Sequence, residues 1–351
     1  MKILHVNLSK SYRGGEYQTI ELIKELKTNG IDQELICRNN TRLIAEAKSI
    51  GGIKVTEVIG PFNGHLERCK DKSQNTVIHA HDGRGVYWAW LEHLIRRTPY
   101  LITRRVINSI GTSWATSKAY KGANMLIAVS FFAADILEQA IKRKTKVIYD
   151  CCRKMNHNEN VNSNSPVSVS NGYPIIGHVG AFDDAVKGQS ILIEAFLLLL
   201  NEYPNAKLYL IGEGKDQKLF QEKYKFQKEI TFVGAVDNVF DWLSTFDLFC
   251  FPSRVEALGS SVLEAMSLGV PVVVSNAGGL PELVGLDERG LVVKTSSAMS
   301  WAGAMRQALS NQSETIARAE KGKQFVEGLS AKIMAEKYMT CYREIISCEA
   351  S

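Results

Sequence analysis

Short apolar runs alternate with segments of helical spacing along almost the whole of this 351-residue chain. In the first half the runs lie at residues 2–8, 32–37, 53–59, 76–80, 99–103, 124–129 and 145–149. In the second half they lie at residues 174–179, 206–211, 230–233, 247–251 and 271–275. Strands that alternate with helices are typical of a parallel sheet wrapped by helices. The sequence therefore predicts an α/β fold with buried parallel strands.

A polar stretch divides this pattern into two series. Between the series the chain is rich in Asn and Ser and has almost no large apolar residue, a composition typical of a linker. We therefore predict a Rossmann-like domain at residues 1–155, a linker at 156–172, a second Rossmann-like domain at 173–330 and a helix at 331–351. If the two domains face one another, the carboxyl ends of their strands border a shared cleft, where ligands bind in open α/β sheets.

Composition indicates the cellular location of the protein and the redox state of its cysteines. No apolar run reaches the roughly 20 residues that a membrane-spanning helix needs, and Met1–Leu8 is a strand-like run too short for a signal peptide. The seven cysteines show no CxxC spacing and no grouping with histidine that would indicate a metal site. We therefore expect a cytoplasmic protein with reduced thiols.

Positive charge is concentrated in the first half of the chain. Residues 1–171 carry 25 Lys and Arg against 15 Asp and Glu, whereas residues 172–351 carry 17 against 22. A basic half indicates either an ordinary solvated surface or an anionic partner, such as a phosphorylated glycan, a lipid diphosphate or an anionic membrane surface. Peripheral contact with the inner face of a membrane therefore stays open. Because no nucleic-acid-binding module accompanies the charge, we expect no nucleic acid partner.

Two glutamates flank a glycine turn in the second half. Glu256 follows an apolar, strand-like run, and Glu264 lies a little over one turn into the helix predicted after Gly259. Gly259 allows close backbone approach, and Ser260 or Ser261 is a candidate cap for that helix. A helix start offers N–H groups to a phosphate, and carboxylates accept hydrogen bonds from hydroxyls, so this arrangement suits a nucleotide sugar. Glutamates on a solvated surface are the alternative explanation.

The same run also resembles a known family. Glu256-Ala257-Leu258-Gly259, followed by Glu264-Ala265-Met266, is similar to the pattern of the retaining glycosyltransferases of the GT-B fold, family 4, or glycosyl transferases group 1. The resemblance covers nearly the whole chain and is strongest from Gly180 to Glu282. It implies two Rossmann-like domains that face one another across a cleft, with the terminal helix crossing back onto the first. It also implies transfer from a nucleotide sugar without metal or cofactor.

The resemblance assigns donor-binding roles by position. Glu256 would bind hydroxyls of the transferred sugar, and Glu264 would bind those of the ribose. The Gly-Gly turn that opens the first predicted helix would close over the diphosphate, and main-chain groups near Val236 would contact the edge of the nucleobase. From the residues alone, these glycines serve equally well as plain turns. The donor-binding residues expected on this basis are Gly14, Gly15, Val236, Ala257, Leu258, Gly259, Ser260 and Glu264.

His79-Ala80-His81-Asp82 ends a predicted strand, where alternation sends both histidines to the same side. Two such histidines suggest zinc, but no third ligand lies nearby in the sequence, so we expect no metal. A polar cluster at a strand end is the other explanation from the residues alone. Family members often have His-x-His here, with the second histidine near the donor sugar. The resemblance therefore makes His81 a catalytic candidate that orients a sugar hydroxyl.

Lys187-Gly188 precedes another predicted helix. A lysine there can act as a point charge on a leaving diphosphate, although a single lysine is usually solvated surface. The Lys-Gly pair is a hallmark of the family, which also has an arginine six residues earlier, where this chain has Ala181. Loss of such a donor often costs roughly 3 kcal/mol of transition-state stabilisation, so either activity is low or another cation compensates. The candidates for that cation are Arg104, Arg105 and Arg254.

These features together predict a metal-independent retaining glycosyltransferase with Lys187, Glu256 and His81 as catalytic residues. It would move a sugar from a nucleotide-diphosphate sugar to a glycan or lipid-linked acceptor, and synthesis of a cell-surface polysaccharide or lipopolysaccharide is the family-level expectation. Two alternatives stay open. A sugar-nucleotide epimerase shares the two-domain architecture, and Ala181 makes a non-catalytic nucleotide-sugar-binding protein plausible.

Overall fold

The computed structural model describes residues 1–65, 75–111, 113–153 and 172–350. It contains two compact units, one formed by Met1–Cys151 with Leu329–Ser351 and the other by Cys152–Gly328. Each unit is built on one parallel sheet, so the predicted α/β class with two parallel-sheet domains is confirmed. Within the predicted linker, residues 156–171 lie outside the described residues.

The first unit has a seven-stranded sheet. Its strands are β1 (Lys2–Asn7), β2 (Asp32–Arg38), β3 (Lys54–Val58), β4 (Thr76–Ala80), β5 (Tyr100–Arg104), β6 (Met125–Ala128) and β7 (Lys146–Val147). Their order is β3-β2-β1-β4-β5-β6-β7, and all neighbours are parallel. Strand order reverses between β1 and β4, so their carboxyl ends form the switch point at which such sheets bind ligands. The helices that connect these strands are α1 (Gly14–Thr28), α2 (Arg42–Ile50), α3 (Gly83–Arg96), α4 (Trp114–Lys121) and α5 (Phe131–Ile141).

The second unit has a six-stranded sheet. Its strands are β8 (Ile175–Val179), β9 (Lys207–Ile211), β10 (Ile230–Gly234), β11 (Leu248–Phe251), β12 (Val272–Ser275) and β13 (Leu291–Val293). Their order is β10-β9-β8-β11-β12-β13, again parallel throughout, which places the switch point between β8 and β11. The helices are α6 (Asp184–Lys187), α7 (Gln189–Leu199), α8 (Gln217–Lys223), α9 (Val239–Leu243), α10 (Ser260–Ser267), α11 (Leu280–Val284), α12 (Ala298–Ser310) and α13 (Gln312–Glu327).

The last helix, α14 (Ala331–Ala350), packs beside α1 in the first unit. Because alternate residues of a strand point to opposite faces, β1 and β4 each contribute to two cores. Ile3 and Val77 pack with α14, whereas Leu4 and Ile78 pack with α3 on the other face. The face under α14 also carries the polar side chains described below. Among the helices of the described residues, none combines the length and apolar character that a membrane crossing requires.

Gly177 in β8 marks a place where the second core leaves no room for a side chain. A Cβ atom there would lie 1.9 Å from a ring carbon of the buried Phe246. We expect Gly177→Ala to lower the free energy of unfolding by about 1–3 kcal/mol through overpacking. Gly303, in helix α12, is the matched control because an added Cβ would meet no atom within 4 Å. We expect Gly303→Ala to raise stability by up to about 1 kcal/mol.

Urea denaturation of the two variants beside the parent chain measures both effects. Equal midpoints for Gly177→Ala and the parent chain would contradict the packing at β8.

Candidate functional site

Two charged side chains meet at the carboxyl ends of β8 and β11. Lys187 ends helix α6, which follows β8, and Glu256 lies in the loop after β11. Lys187 Nζ lies 2.5 Å from Glu256 Oε2, and the two side chains are only 19% and 16% exposed. Lys187 Nζ also lies 4.9 Å from the centre of the Phe251 ring. The structure therefore brings together two predicted catalytic residues that are 69 positions apart in the sequence.

Backbone contacts that leave no space for a side chain hold these loops in place. Gly188 has a φ of +67°, and a Cβ atom there would lie 2.4 Å from the carbonyl oxygen of Pro252. Gly278 has a φ of +57°, and its Cβ would lie 1.6 Å from the carbonyl oxygen of Glu256. Only glycine adopts these positions without strain. Glycine at position 188 thus lets α6 end against the β11 loop, which brings Lys187 to Glu256.

Glu264 lies on α10, and burial raises the pKa of its carboxyl group to about 7, although the charge of Arg153 lowers it. The prediction that Ser260 or Ser261 caps this helix is wrong. The residue before the helix is Gly259, whose φ of +105° starts α10 without a side-chain hydrogen bond. Ser260 is already the first helical residue and is exposed.

The other predicted donor-binding residues fall in loops or at helix starts. In the second unit, Val236 is half-buried between β10 and α9, and Ala257 and Leu258 lie beside Glu256 in the loop after β11. In the first unit, Gly14 and Gly15 are the first two residues of α1, at the carboxyl end of β1. Their roles in donor binding stay predictions.

Ala181, which stands where the resemblance predicts an arginine, lies in the loop after β8. Ala181 is exposed, and its carbonyl oxygen accepts a hydrogen bond of 2.8 Å from the side chain of the buried Gln189. Arg254, one of the candidate compensating cations, is also exposed. Its backbone N–H donates to the carbonyl oxygen of Val186 at 2.7 Å. The backbone of this loop is therefore held without an arginine at position 181.

Three buried histidines lie together in the first unit. His5 in β1 and His79 in β4 are direct partners in the parallel register, and His81 follows β4. Ring nitrogens of the three residues lie within 4.8 Å of one another. The sequence shows no third ligand near His79 and His81, but the parallel sheet brings His5 beside them. The signal for His5 in the sequence was a polar residue inside an otherwise apolar strand.

A directed chain of hydrogen bonds connects two of these histidines. Arg105 Nη1 lies 3.3 Å from His81 Nδ1, and because a guanidinium only donates, His81 carries its proton on Nε2. His81 Nε2 lies 3.0 Å from His5 Nδ1, so His5 in turn donates from Nε2 to Gln33 Oε1 at 3.0 Å. Both imidazoles are then neutral. Burial lowers the pKa of His5 to about 4 and that of His81 well below its usual value.

His79 connects the terminal helix to the sheet. Its Nδ1 lies 2.7 Å from the hydroxyl oxygen of Tyr342, and its Nε2 lies 2.7 Å from that of Thr103. The Thr103 hydroxyl is also 3.0 Å from that of Tyr338. Burial lowers the pKa of His79 and raises those of both tyrosines. Because every ring nitrogen of the three histidines has a partner and Arg105 lies beside them, the group fits a network of neutral imidazoles better than a cation site.

The neutrality of His5 generates a pH prediction. Its pKa is 6.5 in an unperturbed state and about 4 in the folded state, so the unfolded chain binds more protons between these values. We therefore expect the free energy of unfolding to fall as the pH drops from about 6.5 to about 4, by up to about 1.4 kcal/mol per pH unit for this histidine.

Nitrogen-15 NMR of the imidazoles checks the assignment directly. At pH 6, His5 and His81 should both give signals of the neutral form protonated on Nε2. Imidazolium signals from either residue at that pH would contradict the hydrogen-bond chain.

Comparisons with known proteins agree with this geometry. Residues 162–325 match the family model described as Glycosyl transferases group 1. The N-acetyl-alpha-D-glucosaminyl L-malate synthase of Bacillus anthracis is 26% identical over 182 residues, which are 51% of this chain and 47% of that protein. The lipopolysaccharide core biosynthesis mannosyltransferase LpsB of Rhizobium meliloti is 28% identical over 172 residues, 45% of this chain and 49% of that protein. The chain therefore matches these curated relatives over about half of their length.

A solved structure matches over nearly the whole chain. The crystal structure of Anabaena Alr3699/HepE in complex with UDP has a TM-score of 0.83 and 18% identity, and the match covers 98% of this chain and 100% of that one. At this identity the likeness establishes the fold, which is GT-B. Residues 162–325, which include Lys187, Glu256 and Glu264, are similar in sequence to the glycosyl transferases of group 1.

Proposed function

We propose that this chain is a metal-independent retaining glycosyltransferase that moves a sugar from a nucleotide-diphosphate sugar to a glycan or lipid-linked acceptor. The ion pair between Lys187 and Glu256 carries the proposal, because it places a cation and a hydroxyl acceptor side by side at the carboxyl ends of β8 and β11. A nucleotide-sugar donor needs a cation for its diphosphate and a hydroxyl acceptor for its sugar ring. The family match over residues 162–325 supports transfer as the reaction class.

Donor binding would exchange the partners of this ion pair. The diphosphate carries more negative charge than one carboxylate, so it competes for Lys187 and releases Glu256 to accept hydrogen bonds from sugar hydroxyls. As the glycosidic bond breaks, its electron pair moves to the diphosphate oxygen, where Lys187 and the N–H group of Gly259 stabilise the charge. The acceptor hydroxyl attacks the same face, gives its proton to the departing diphosphate and preserves the anomeric configuration. His81 would position the sugar.

Names of related proteins support particular substrates. The structure of Alr3699/HepE holds UDP, so a uridine diphosphate sugar is the first donor to test. The relative LpsB acts in lipopolysaccharide core synthesis, which supports a cell-surface glycan as the acceptor.

The excess of basic residues before residue 172 and the 70% exposed Trp114 support peripheral binding to the cytoplasmic face of a membrane. Sedimentation with anionic vesicles tests that location, and failure to sediment would argue against it.

Transfer can be tested with a panel of nucleotide sugars and glycan acceptors. We expect UDP or another nucleoside diphosphate to be released together with a product that keeps the anomeric configuration of the donor, and we expect this activity to survive EDTA. Lys187→Ala should lower turnover by roughly a hundredfold, since it removes a preorganised cation from the leaving group. An exposed lysine of the same unit, Lys215, supplies the control variant Lys215→Ala.

Three results would contradict the proposal. Complete loss of activity in EDTA, restored by a divalent ion, would show a metal-dependent reaction. Conversion of the donor to an epimer without an acceptor would show an epimerase. Binding without transfer across the panel would show a non-catalytic binding protein, the alternative that Ala181 favours.

The raised pKa of Glu264 gives the donor site a pH dependence. The carboxylate form accepts charge-assisted hydrogen bonds from ribose hydroxyls, which are stronger than those that the protonated acid accepts, and this form is lost as the pH falls through about 7. We therefore expect the affinity for UDP-glucose, whose diphosphate does not titrate near neutrality, to fall by up to about tenfold per pH unit below that value. Glu264→Gln should bind UDP-glucose more weakly and without this pH dependence.

Isothermal titration calorimetry between pH 5.5 and 8 measures both properties. Glu288→Gln is the matched control, because Glu288 belongs to the same unit and is 71% exposed. It should keep the affinity and the pH dependence of the parent chain. The same pH dependence in Glu264→Gln would remove the ribose assignment.

A further inference from the structure

A pocket of about 550 Å³ opens at the carboxyl ends of β1, β4 and β5 in the first unit. Part of its wall is aromatic or apolar and includes Ile102, Tyr87 and Tyr120. The volume lies within the range of about 300–1,000 Å³ that is typical of small-molecule sites. His81 also lines it, so the pocket adjoins the histidine network.

Cations dominate the charge of this pocket. The basic residues of its lining are Lys10, Arg13, Arg84, Arg104 and Arg105, against the two acids Glu16 and Asp82. Both acids already accept hydrogen bonds from backbone N–H groups. Asp82 accepts hydrogen bonds from Leu8, Arg84 and Gly85, and Glu16 accepts one from Arg13. Within the described part of the chain, Lys10, Arg13 and Arg84 form no ion pair.

Not every hydrogen-bond donor of the Arg105 guanidinium has a partner. Its Nε lies 2.9 Å from Asp150 Oδ1, and its Nη1 bonds to His81. The side chain is only 8% exposed, and Nη2 is buried without a hydrogen-bond partner. An unsatisfied N–H on a buried cation is costly, so native structures rarely keep one without a reason.

Arg104 repeats the pattern beside it. Its Nη1 donates to the Tyr120 hydroxyl at 3.0 Å and its Nη2 donates to the carbonyl oxygen of Asn108. Its Nε is buried without a partner, and the residue is 9% exposed. Two adjacent buried guanidiniums on one pocket wall therefore both have a free donor.

We propose that this pocket binds a phosphoryl or carboxylate group of the acceptor, so that the chain glycosylates an anionic glycan or lipid-linked glycan. The assignment to the acceptor rests on the proposed function. A planar guanidinium binds such groups through its paired N–H donors. The donor-binding candidates of the second unit, Lys187, Glu256 and Glu264, do not line this pocket.

The diphosphate of the donor is the second possible source of an oxyanion, since Gly15 and His81 also line the pocket. Competition distinguishes the two sources. The probe is inorganic phosphate, titrated into the full chain at constant ionic strength, with and without saturating UDP-glucose. We expect phosphate to raise the melting temperature and to bind with an affinity that UDP-glucose leaves unchanged. Mutual exclusion would overturn the assignment to the acceptor.

Two variants locate the phosphate. Arg105→Met alone would leave Asp150 buried without its partner, so the main variant is the double substitution Arg105→Met, Asp150→Asn. We expect it to bind phosphate at least tenfold more weakly. Arg105→Lys should keep part of the affinity, because it retains the charge but not the planar donor pair. Arg306→Met, a change at an exposed arginine paired with Glu202, should not alter phosphate binding.

Two readouts separate a loss of phosphate binding from a loss of folding. The neutral His5 signals and a single cooperative urea transition report that the double variant is folded. With both observed, equal phosphate affinity in the double variant and the parent chain would overturn the proposal, as would the absence of phosphate binding to the parent chain. Neither result would affect transfer from a nucleotide sugar, which is measured separately.

Discussion

Close contact between backbone segments, possible only at glycine, holds together the loops at the carboxyl ends of β8 and β11. Gly188 rests against Pro252, and Gly278 rests against Glu256. Gly212 and Gly214 contact the loop after β8 in the same way, with added Cβ atoms 2.1 Å and 2.3 Å from carbonyl oxygens. Side chains at these positions would separate the loops. The ion pair of Lys187 with Glu256 therefore depends on residues that themselves have no functional group.

In the first unit, buried polar side chains connect the strands and the terminal helix. Parallel register sets His5 beside His79, and Thr103 on the next strand continues the row on the face under α14. Such a network stabilises a fold only when its members are satisfied, and here each ring nitrogen has a partner. Two of the buried polar atoms that lack a partner, on Arg104 and Arg105, belong to side chains that line the pocket.

Charge has different arrangements in the two units. In the second unit, Lys187 forms an ion pair with Glu256, and burial raises the pKa of Glu264 to about 7. In the first unit, basic side chains gather around one pocket while its acids cap backbone N–H groups. The excess of basic residues seen in the sequence therefore includes a local concentration at one site, beyond a general surface charge.

Local pattern in the sequence determined most of the strands and the position of the acidic motif. The first apolar run, predicted at residues 2–8, forms β1 (Lys2–Asn7), because alternation and burial are encoded within a few residues. Motif spacing likewise indicated Glu256, Glu264 and Lys187. The prediction of a serine cap was wrong because Gly259 adopts a left-handed backbone conformation, so the helix begins one residue earlier.

Only the tertiary structure decided which distant residues share a site. His79 and Tyr342 are 263 positions apart, and Arg105 and Asp150 are 45 apart, so no local pattern connects them. Their contacts follow from the order of strands in the sheet and from the packing of α14 on it. Both are set by burial of apolar surface over a whole unit, whereas strand and helix patterns are set by neighbours in the chain.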